Sequence, residues 1–462
     1  MKTSETRDGA SFRDPSGTVF SSDGILYRQV NSSYLNQYLK MNESGLLRAL
    51  LEKGWLIPHI ETDQKCPFEN GFCVIRPERI PLISYPYEWS FSALRDAAVL
   101  TLRIHLAALD YGMILKDASA YNVQFMNGKP VFIDTLSFDF YEEGTPWIAY
   151  GQFCRHFLAP LLLMAHADVR LNRLMSNFID GIPLDLADRI LKGRGGFFGK
   201  QHVHWHAASI ARYADTSDRI GEKRPIKTLS LPKSRQRALV ESMILGLQKL
   251  RFPGQDTEWA DYSTLTSYTD SGADSKRSIV TGFLDQVRPS SVWDLGANDG
   301  AYSVLAAKAG AQTVAFDADP VAVERCYRSI RDQGIPLLPL LMDLTNPSAN
   351  IGFAGRERSS MAERGRPDCI MMLAVIHHMA ISNNVPFELL ALWLSEMSDH
   401  LIIEFVPKSD PQVQRLLLSR EDIFDRYTQE NFESVFSRYM KLRAKKPVSG
   451  SERTLYLYEK GK

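Results

Sequence analysis

Ser291-Val292-Trp293-Asp294-Leu295-Gly296-Ala297-Asn298-Asp299-Gly300 decides how the second half of this chain is read. A short apolar run ends in an acid and passes at once into a glycine turn. A helical pattern opens directly behind it, with Tyr302, Val304, Leu305 and Ala306. Gly296 and Gly300 carry no Cβ, so the backbone there can come close to a ligand. The helix start behind them offers free N–H groups and a partial positive charge, suited to a carboxylate or a phosphate.

Working outward, Gln312 to Phe316 reads as a second strand ending in Asp317. That acid stands about 20 residues beyond the glycine turn, where a doubly wound fold places the carboxylate that holds ribose hydroxyls. Asp319-Pro320 then supplies an N-cap and a first-turn proline for the next helix. From Ser278 onward helix and strand patterns alternate, the signature of a parallel α/β sheet. Strand, turn, helix, strand and acid agree on a nucleoside-binding site.

A dinucleotide site would show G-x-G-x-x-G, whereas this turn reads D-x-G-x-x-x-G. It resembles the first motif of the class I S-adenosylmethionine-dependent methyltransferases. The resemblance implies a Rossmann-like domain with S-adenosylmethionine as cofactor. Asp294 and the turn carrying Gly296, Asn298 and Gly300 would hold the methionine part, Asp317 the ribose, and Asp343 would lie near the adenine amino group. Asp368 to Leu373 looks like the family's fourth strand and His400 to Phe405 its fifth. Residues 437–445 and 453–459 look like its terminal antiparallel pair.

Catalytic groups in open α/β sheets lie beyond the carboxyl ends of the strands. The turn after the fourth strand carries His377 and His378, and the fifth strand ends around Glu404. Either histidine has the chemistry to take a proton from an attacking hydroxyl. In the alternative, one packs under the cofactor and the other faces solvent. Glu404 is a candidate to orient a histidine or a substrate hydroxyl. Tyr268, with Tyr262, is a candidate lid over the cofactor or a plain linker residue.

The first half has one constellation of its own. Leu115-Lys116-Asp117-Ala118-Ser119-Ala120-Tyr121-Asn122 is followed by Val131-Phe132-Ile133-Asp134. The spacing resembles the catalytic segment of protein kinases and aminoglycoside phosphotransferases. There an Asp accepts a hydroxyl proton, while an Asn and a second Asp hold magnesium on the triphosphate. The resemblance implies a kinase-like α+β domain with Asp117, Asn122 and Asp134 in one cleft. The sequence also departs from that pattern: Leu115 and Lys116 replace the usual histidine and arginine. It has no full glycine-rich loop and no strand lysine, Arg28 being the nearest basic candidate.

Local patterning gives the remaining elements. A hairpin is expected around residues 18–28, a helix over 44–56, short strands at Phe72 to Ile75 and Pro81 to Tyr85, and long helices at Phe91 to Tyr111 and Lys233 to Arg251. His202, His204 and His206 would share one face of a strand, but no carboxylate or cysteine nearby completes a ligand set, and no metal is expected.

The domain order expected is a flexible tail at 1–16, a kinase-like domain at 17–230, a helical linker at 231–275 and a methyltransferase domain at 276–462. That order, with strings such as Ser84-Tyr85-Pro86-Tyr87-Glu88-Trp89-Ser90 and Glu404-Phe405-Val406-Pro407-Lys408, looks like a family that includes the rhizobial host-specificity nodulation methyltransferases. It implies a small-molecule or glycan acceptor. The competing classes are a bifunctional kinase–methyltransferase and a non-catalytic adaptor.

Composition bounds these readings. The 462 residues carry 54 Lys plus Arg against 54 Asp plus Glu, a balance that argues against a nucleic-acid binder relying on a basic surface. Five scattered cysteines form no C-x-x-C pair, so no disulfide framework is indicated. Met1 to Gly17 has no apolar core of a signal peptide, and Phe157 to Ala165 is far short of the roughly 20 residues of a membrane span. A soluble, cytoplasmic protein is expected, with no membrane partner. The oligomeric state is not legible.

Overall fold

The computed structural model describes residues 5–208, 230–254, 270–418 and 420–461. They divide into two compact units. Unit 1 takes in Met1–Pro253 and Asn350–Arg358; unit 2 takes in Gly254–Ala349 and Ser359–Lys462.

Unit 2 is built on a seven-stranded sheet. In spatial order it runs Leu337–Leu341, Gln312–Asp317, Ser291–Leu295, Cys369–Met372, His400–Phe405, Thr454–Lys460, Met440–Pro447. The first five strands are parallel and the last two antiparallel, with Val292 beside both Thr313 and Cys369, and His400 beside Glu459. Both faces of the parallel strands are covered, which is why they read as continuous apolar runs rather than as alternation. On one face Val280, Phe283 and Leu284 of the helix Asp270–Val287 pack with Val292, Met371, Ile402 and Leu457. Further along the same face Cys326 and Ile330 of Pro320–Gln333 pack with Ala315 and Leu337, while on the opposite face Phe432 and Phe436 of Gln429–Tyr439 pack against Tyr456 and Tyr458. Ile402 is fully buried, so truncating it to alanine costs about 2–5 kcal/mol.

Unit 1 carries a five-stranded antiparallel sheet, ordered Thr6–Arg7, Gly17–Ser22, Ile25–Asn31, Gly71–Pro77, His59–Thr62. Asp23 and Gly24 join the second and third of these with φ of 51° and 78°, the two-residue hairpin geometry that matches strand twist. The helix Phe91–Asp110 starts at Ser90, whose hydroxyl accepts the N–H of Ala93, and ends before Gly112 at φ 71°. Two small hairpin-like pairs follow: Met113–Leu115 with Phe138–Phe140, and Val123–Met126 with Lys129–Phe132. The helix Lys233–Lys249 belongs to unit 1, where Gln236 bonds to His105 and Arg237 to Asp110.

Four local expectations need correction. The helix over 44–56 is shorter, Leu46–Glu52, and Gly45 at φ 86° before it separates it from a further helix, Leu35–Glu43, that the patterning did not show. Pro81 to Tyr85 is not a strand. Side chains take its backbone donors instead, Gln124 that of Ser84 and Glu88 that of Tyr85, and proline has none to give. The described residues before Gly17 are not a loose tail: Thr6–Arg7 pairs with the sheet, and Arg13 makes a two-pronged ion pair to Glu357. The triple-histidine stretch is helical rather than extended, so His204 turns away while His202 and His206 both pack against Tyr150. His202 meets Tyr150 at 2.8 Å and His204 meets Asp188 at 2.8 Å.

Candidate functional site

In unit 2 the sequence-predicted residues gather at the carboxyl ends of the parallel strands. Gly296 and Gly300 both have positive φ, 79° and 81°. A Cβ at Gly296 would collide with Cγ2 of Val375, in the turn after the fourth strand, and one at Gly300 with the sulfur of Cys326. Asn298 between them also lies in the left-handed region, at φ 50°. Asp317 holds this turn in place. Its carboxylate accepts the N–H of Asn298 at 2.7 Å and that of Asp319 at 2.9 Å. Burial still lifts its pKa to about 6.

Asp294 is almost fully buried and accepts a hydrogen bond from Ser303 at 2.6 Å. Burial raises its pKa to about 7, against the lowering effect of Ser303 and of the Lys276 charge. Asp343 follows the third strand and closes a local turn by accepting from Thr345 N–H and hydroxyl, at 2.9 and 2.6 Å. The helix behind the glycine turn is short, Ser303–Lys308, so its dipole offers an anion less than the sequence suggested.

The turn after the fourth strand contains Ala374 at φ 57°, a strained position for alanine. His377 is fully buried, and neither ring nitrogen has a hydrogen-bond partner among the described residues. Its ring lies 4.1 Å from that of His378. Burial holds His377 well below the usual histidine range, helped by the charges of His378, Arg453 and Lys276. Burial and Arg453 lower His378 to about 4.

Glu404 accepts from Lys276 at 2.7 Å, and both side chains are buried. Arg453 lies 3.9 Å from its other oxygen and makes a two-pronged bond to Asp410, at 2.7 and 3.1 Å. Lys276, Arg453, Asp410 and Ser303 were not singled out from the sequence. Their residue types are those of any solvated surface, and only the fold reveals that they are buried together. Tyr262 and Tyr268 lie outside the described residues.

In unit 1 the kinase-like trio is drawn together. Asn122 donates to Ser137 at 3.3 Å, and Ser137 donates to Asp134 at 2.6 Å. Asp117 accepts from Ser119 N–H and from Gln152, both at 2.9 Å; burial and the nearby Asp134 charge raise its pKa. Arg28 reaches Asp134 at 2.5 Å and Asp14 at 2.7 Å. Burial alone would raise the Asp134 carboxyl, but Arg28, the Ser137 hydroxyl and the Leu136 N–H together hold it below its ordinary value. Among the described residues no cluster of His, Cys, Asp and Glu is arranged to hold a metal, and no helix is long and apolar enough to cross a membrane.

The strand order of unit 2, its terminal antiparallel pair and its acid–glycine turn are those of the class I methyltransferase fold. No model of a known protein family matches the chain. Nodulation protein NoeA of Rhizobium meliloti strain 1021 is 33% identical over 459 residues, which is 98% of this chain and 96% of that protein. The chain belongs to the family of NoeA. Among solved structures, the N-methyltransferase NodS from Bradyrhizobium japonicum WM9 in complex with S-adenosyl-L-homocysteine is similar at 12% identity and a TM-score of 0.33. It covers 45% of this chain and 94% of NodS. Magnesium protoporphyrin IX methyltransferase from Synechocystis PCC 6803 with bound S-adenosylmethionine is similar at 16% identity and a TM-score of 0.30, over 45% of this chain and 86% of its own.

Proposed function

We propose that this protein transfers a methyl group from S-adenosylmethionine to a small-molecule or glycan acceptor, in the cytoplasm. The observation that carries the reading is the set of acids around the glycine turn: Asp294, Asp317 and Asp343, each at or just past the carboxyl end of one of three adjacent parallel strands. The residues present fit an adenosylated amino acid. The left-handed turn of Gly296, Asn298 and Gly300, tied by Asn298 N–H to Asp317, brings backbone and acid together at the ends of the first two strands.

Asp294 and the turn of Gly296, Asn298 and Gly300 would hold the methionine part, Asp317 the ribose hydroxyls, and Asp343 would lie near the adenine. Tyr268 is retained as a lid residue. When bound, the cofactor supplies a methyl group already activated on a sulfonium. The protein therefore needs mainly to align the acceptor and to exclude water. For a hydroxyl acceptor, His377 or His378 takes the proton at a ring nitrogen. Both are depressed in pKa and so stay neutral, the form a base requires. Glu404, held by Lys276, orients this wall of the site rather than accepting the proton itself.

Unit 1 is proposed to be kinase-like in fold but not to transfer phosphate. Asp117, Asn122 and Asp134 support the first part, and Arg28 supports the second. A guanidinium bonded to Asp134 takes up the carboxylate that a kinase uses for magnesium. A bifunctional enzyme is the second reading, favoured by the convergence of the same three residues. Purified protein should pass labelled methyl groups from S-adenosylmethionine to a component of a cell extract, detected by mass spectrometry, and should not hydrolyse Mg-ATP. Hydrolysis abolished by Asp134→Ala would establish the bifunctional reading. Labelling absent from every extract fraction would remove methyl transfer.

A further inference from the structure

We infer that unit 1 carries a docking site for an anionic membrane surface, built on the turn and helix from Lys192 to Trp205. A cavity there takes a lipid phosphate, and two exposed aromatic rings beside it enter the headgroup layer. The site is independent of methyl transfer and uses residues that reaction leaves idle.

Cations dominate this stretch. From Arg189 to His206 the chain holds Arg189, Lys192, Arg194 and Lys200 and not one acidic residue. Arg189 faces Asp185 one turn back at 3.9 Å, and Arg194 bonds to the carbonyls of Ile190 and Leu191 at the end of the helix Leu184–Leu191. The ammonium groups of Lys192 and Lys200 have no partner among the described residues. Asp188, the acid nearest in sequence, is engaged by His204 at 2.8 Å.

Those two lysines line a cavity of about 240 Å³ together with His204, Gly193, Gly195 and Gly199. Sites for drug-sized ligands run to roughly 300–1,000 Å³, so this one suits a single charged group rather than a whole metabolite. Gly193 is needed for its φ of 77°. Gly199 is different. It lies within a helical stretch that continues from Gly196–Gly199 into Lys200–His204, where glycine is less stable than alanine. A Cβ at 199 would make only ordinary contact with the Leu162 methyls, at 3.8 and 3.9 Å. Neither backbone angle nor packing calls for glycine there, whereas an open cavity wall does.

The rim names the occupant. Phe197, between the lining glycines 195 and 199, is 70% exposed, and Trp205, directly after His204, is 50% exposed. Their rings meet edge to face at 5.8 Å. A soluble phosphate compound would use the lysines and leave two aromatic rings in water. A bilayer uses both, because basic residues meet its negative surface while Trp and Phe settle at headgroup level. Among the described residues no helix is long and apolar enough to cross a membrane, so the contact is peripheral. It revises the expectation of no membrane partner, which rested on the lack of a spanning segment.

Co-sedimentation of the full chain with vesicles tests this. Wild-type protein should pellet with vesicles of equal parts phosphatidylcholine and phosphatidylglycerol, stay in solution with phosphatidylcholine alone, and be released by rising salt. Lys192→Gln with Lys200→Gln should weaken binding about twentyfold, at roughly fivefold for each lysine. Phe197→Ser with Trp205→Ser should weaken it about tenfold or more through lost apolar burial. All four side chains are exposed, so both variants should melt as the wild type does. Absence of wild-type binding to the mixed vesicles, equal binding to the neutral ones, or undiminished binding by either folded variant would overturn the inference. Saturable calorimetric binding of inorganic phosphate without vesicle binding would make the cavity a site for a free phosphate and overturn the lipid as its source.

Discussion

The carboxylate of Asp317 accepts the backbone N–H of Asn298 at 2.7 Å, tying the acid that ends the second strand to the turn that leaves the first. Because Asn298 sits at φ 50°, its backbone must hold a conformation that few residues tolerate. Asn298→Gly should leave the melting temperature nearly unchanged, whereas Asn298→Val should cost about 1–2 kcal/mol in chemical denaturation. Equal stability of the two variants would show that the turn is not held as described.

Asp294 makes the stability of the protein depend on pH. Its pKa rises from the ordinary carboxylate range to about 7 on folding, so the folded state binds the extra proton. That contribution is complete below the unfolded value and is lost as pH rises through about 7. Asp294→Asn should therefore gain on the order of 3 kcal/mol at pH 8.5 and almost nothing at pH 4, measured by urea unfolding. A gain of the same size at both values would show that the carboxyl does not titrate on folding.

Ligand binding should move the same proton. An ammonium set beside Asp294 favours its ionised form, so binding S-adenosylhomocysteine near pH 7 should release about half a proton per site. Calorimetry in two buffers of different ionisation heat measures this directly, and proton uptake on binding would contradict the placement.

Much of unit 2 was legible because its signals are local. The strand at His400–Phe405 and the acid ending Gln312–Asp317 are set by apolar runs and a charge at fixed places, and the chain folds as those runs dictate. The surroundings of Glu404 were not legible. Lys276 and Arg453 look like surface charges in the sequence, and only the meeting of a helix, a strand end and a hairpin buries them. Pro81 to Tyr85 misled for another reason: β-type composition lost to specific side-chain acceptors on Gln124 and Glu88. In unit 1 the trio was visible from its spacing, while the seizure of Asp134 by Arg28 needs a strand distant in sequence.

That ion pair carries a prediction of its own. Both partners are mostly buried, so Arg28→Ala would leave the Asp134 carboxylate without its counter-charge, at a cost on the order of 3 kcal/mol in denaturant unfolding. Arg28→Ala together with Asp134→Ala should recover much of that loss. If the single change is silent, the pair does not hold the cleft.

Turnover should depend on the histidine turn. His377→Ala or His378→Ala should lower methyl transfer to a hydroxyl acceptor by about a hundredfold while leaving cofactor affinity nearly unchanged. With His378 lowered to about 4, its acid limb in a pH–rate profile should lie near that value rather than near 6.5. Full activity in both variants would make the turn structural.

The most direct test of the whole account is calorimetry of S-adenosylhomocysteine on the full chain and on its Asp317→Ala variant. Each hydrogen bond from a ribose hydroxyl to that carboxylate is worth about 1.5–3 kcal/mol, so the variant should bind at least about tenfold more weakly while remaining folded. Saturable binding by the wild type with that loss in the variant is the predicted result. No binding by the wild type, or the same affinity in both proteins, would contradict it.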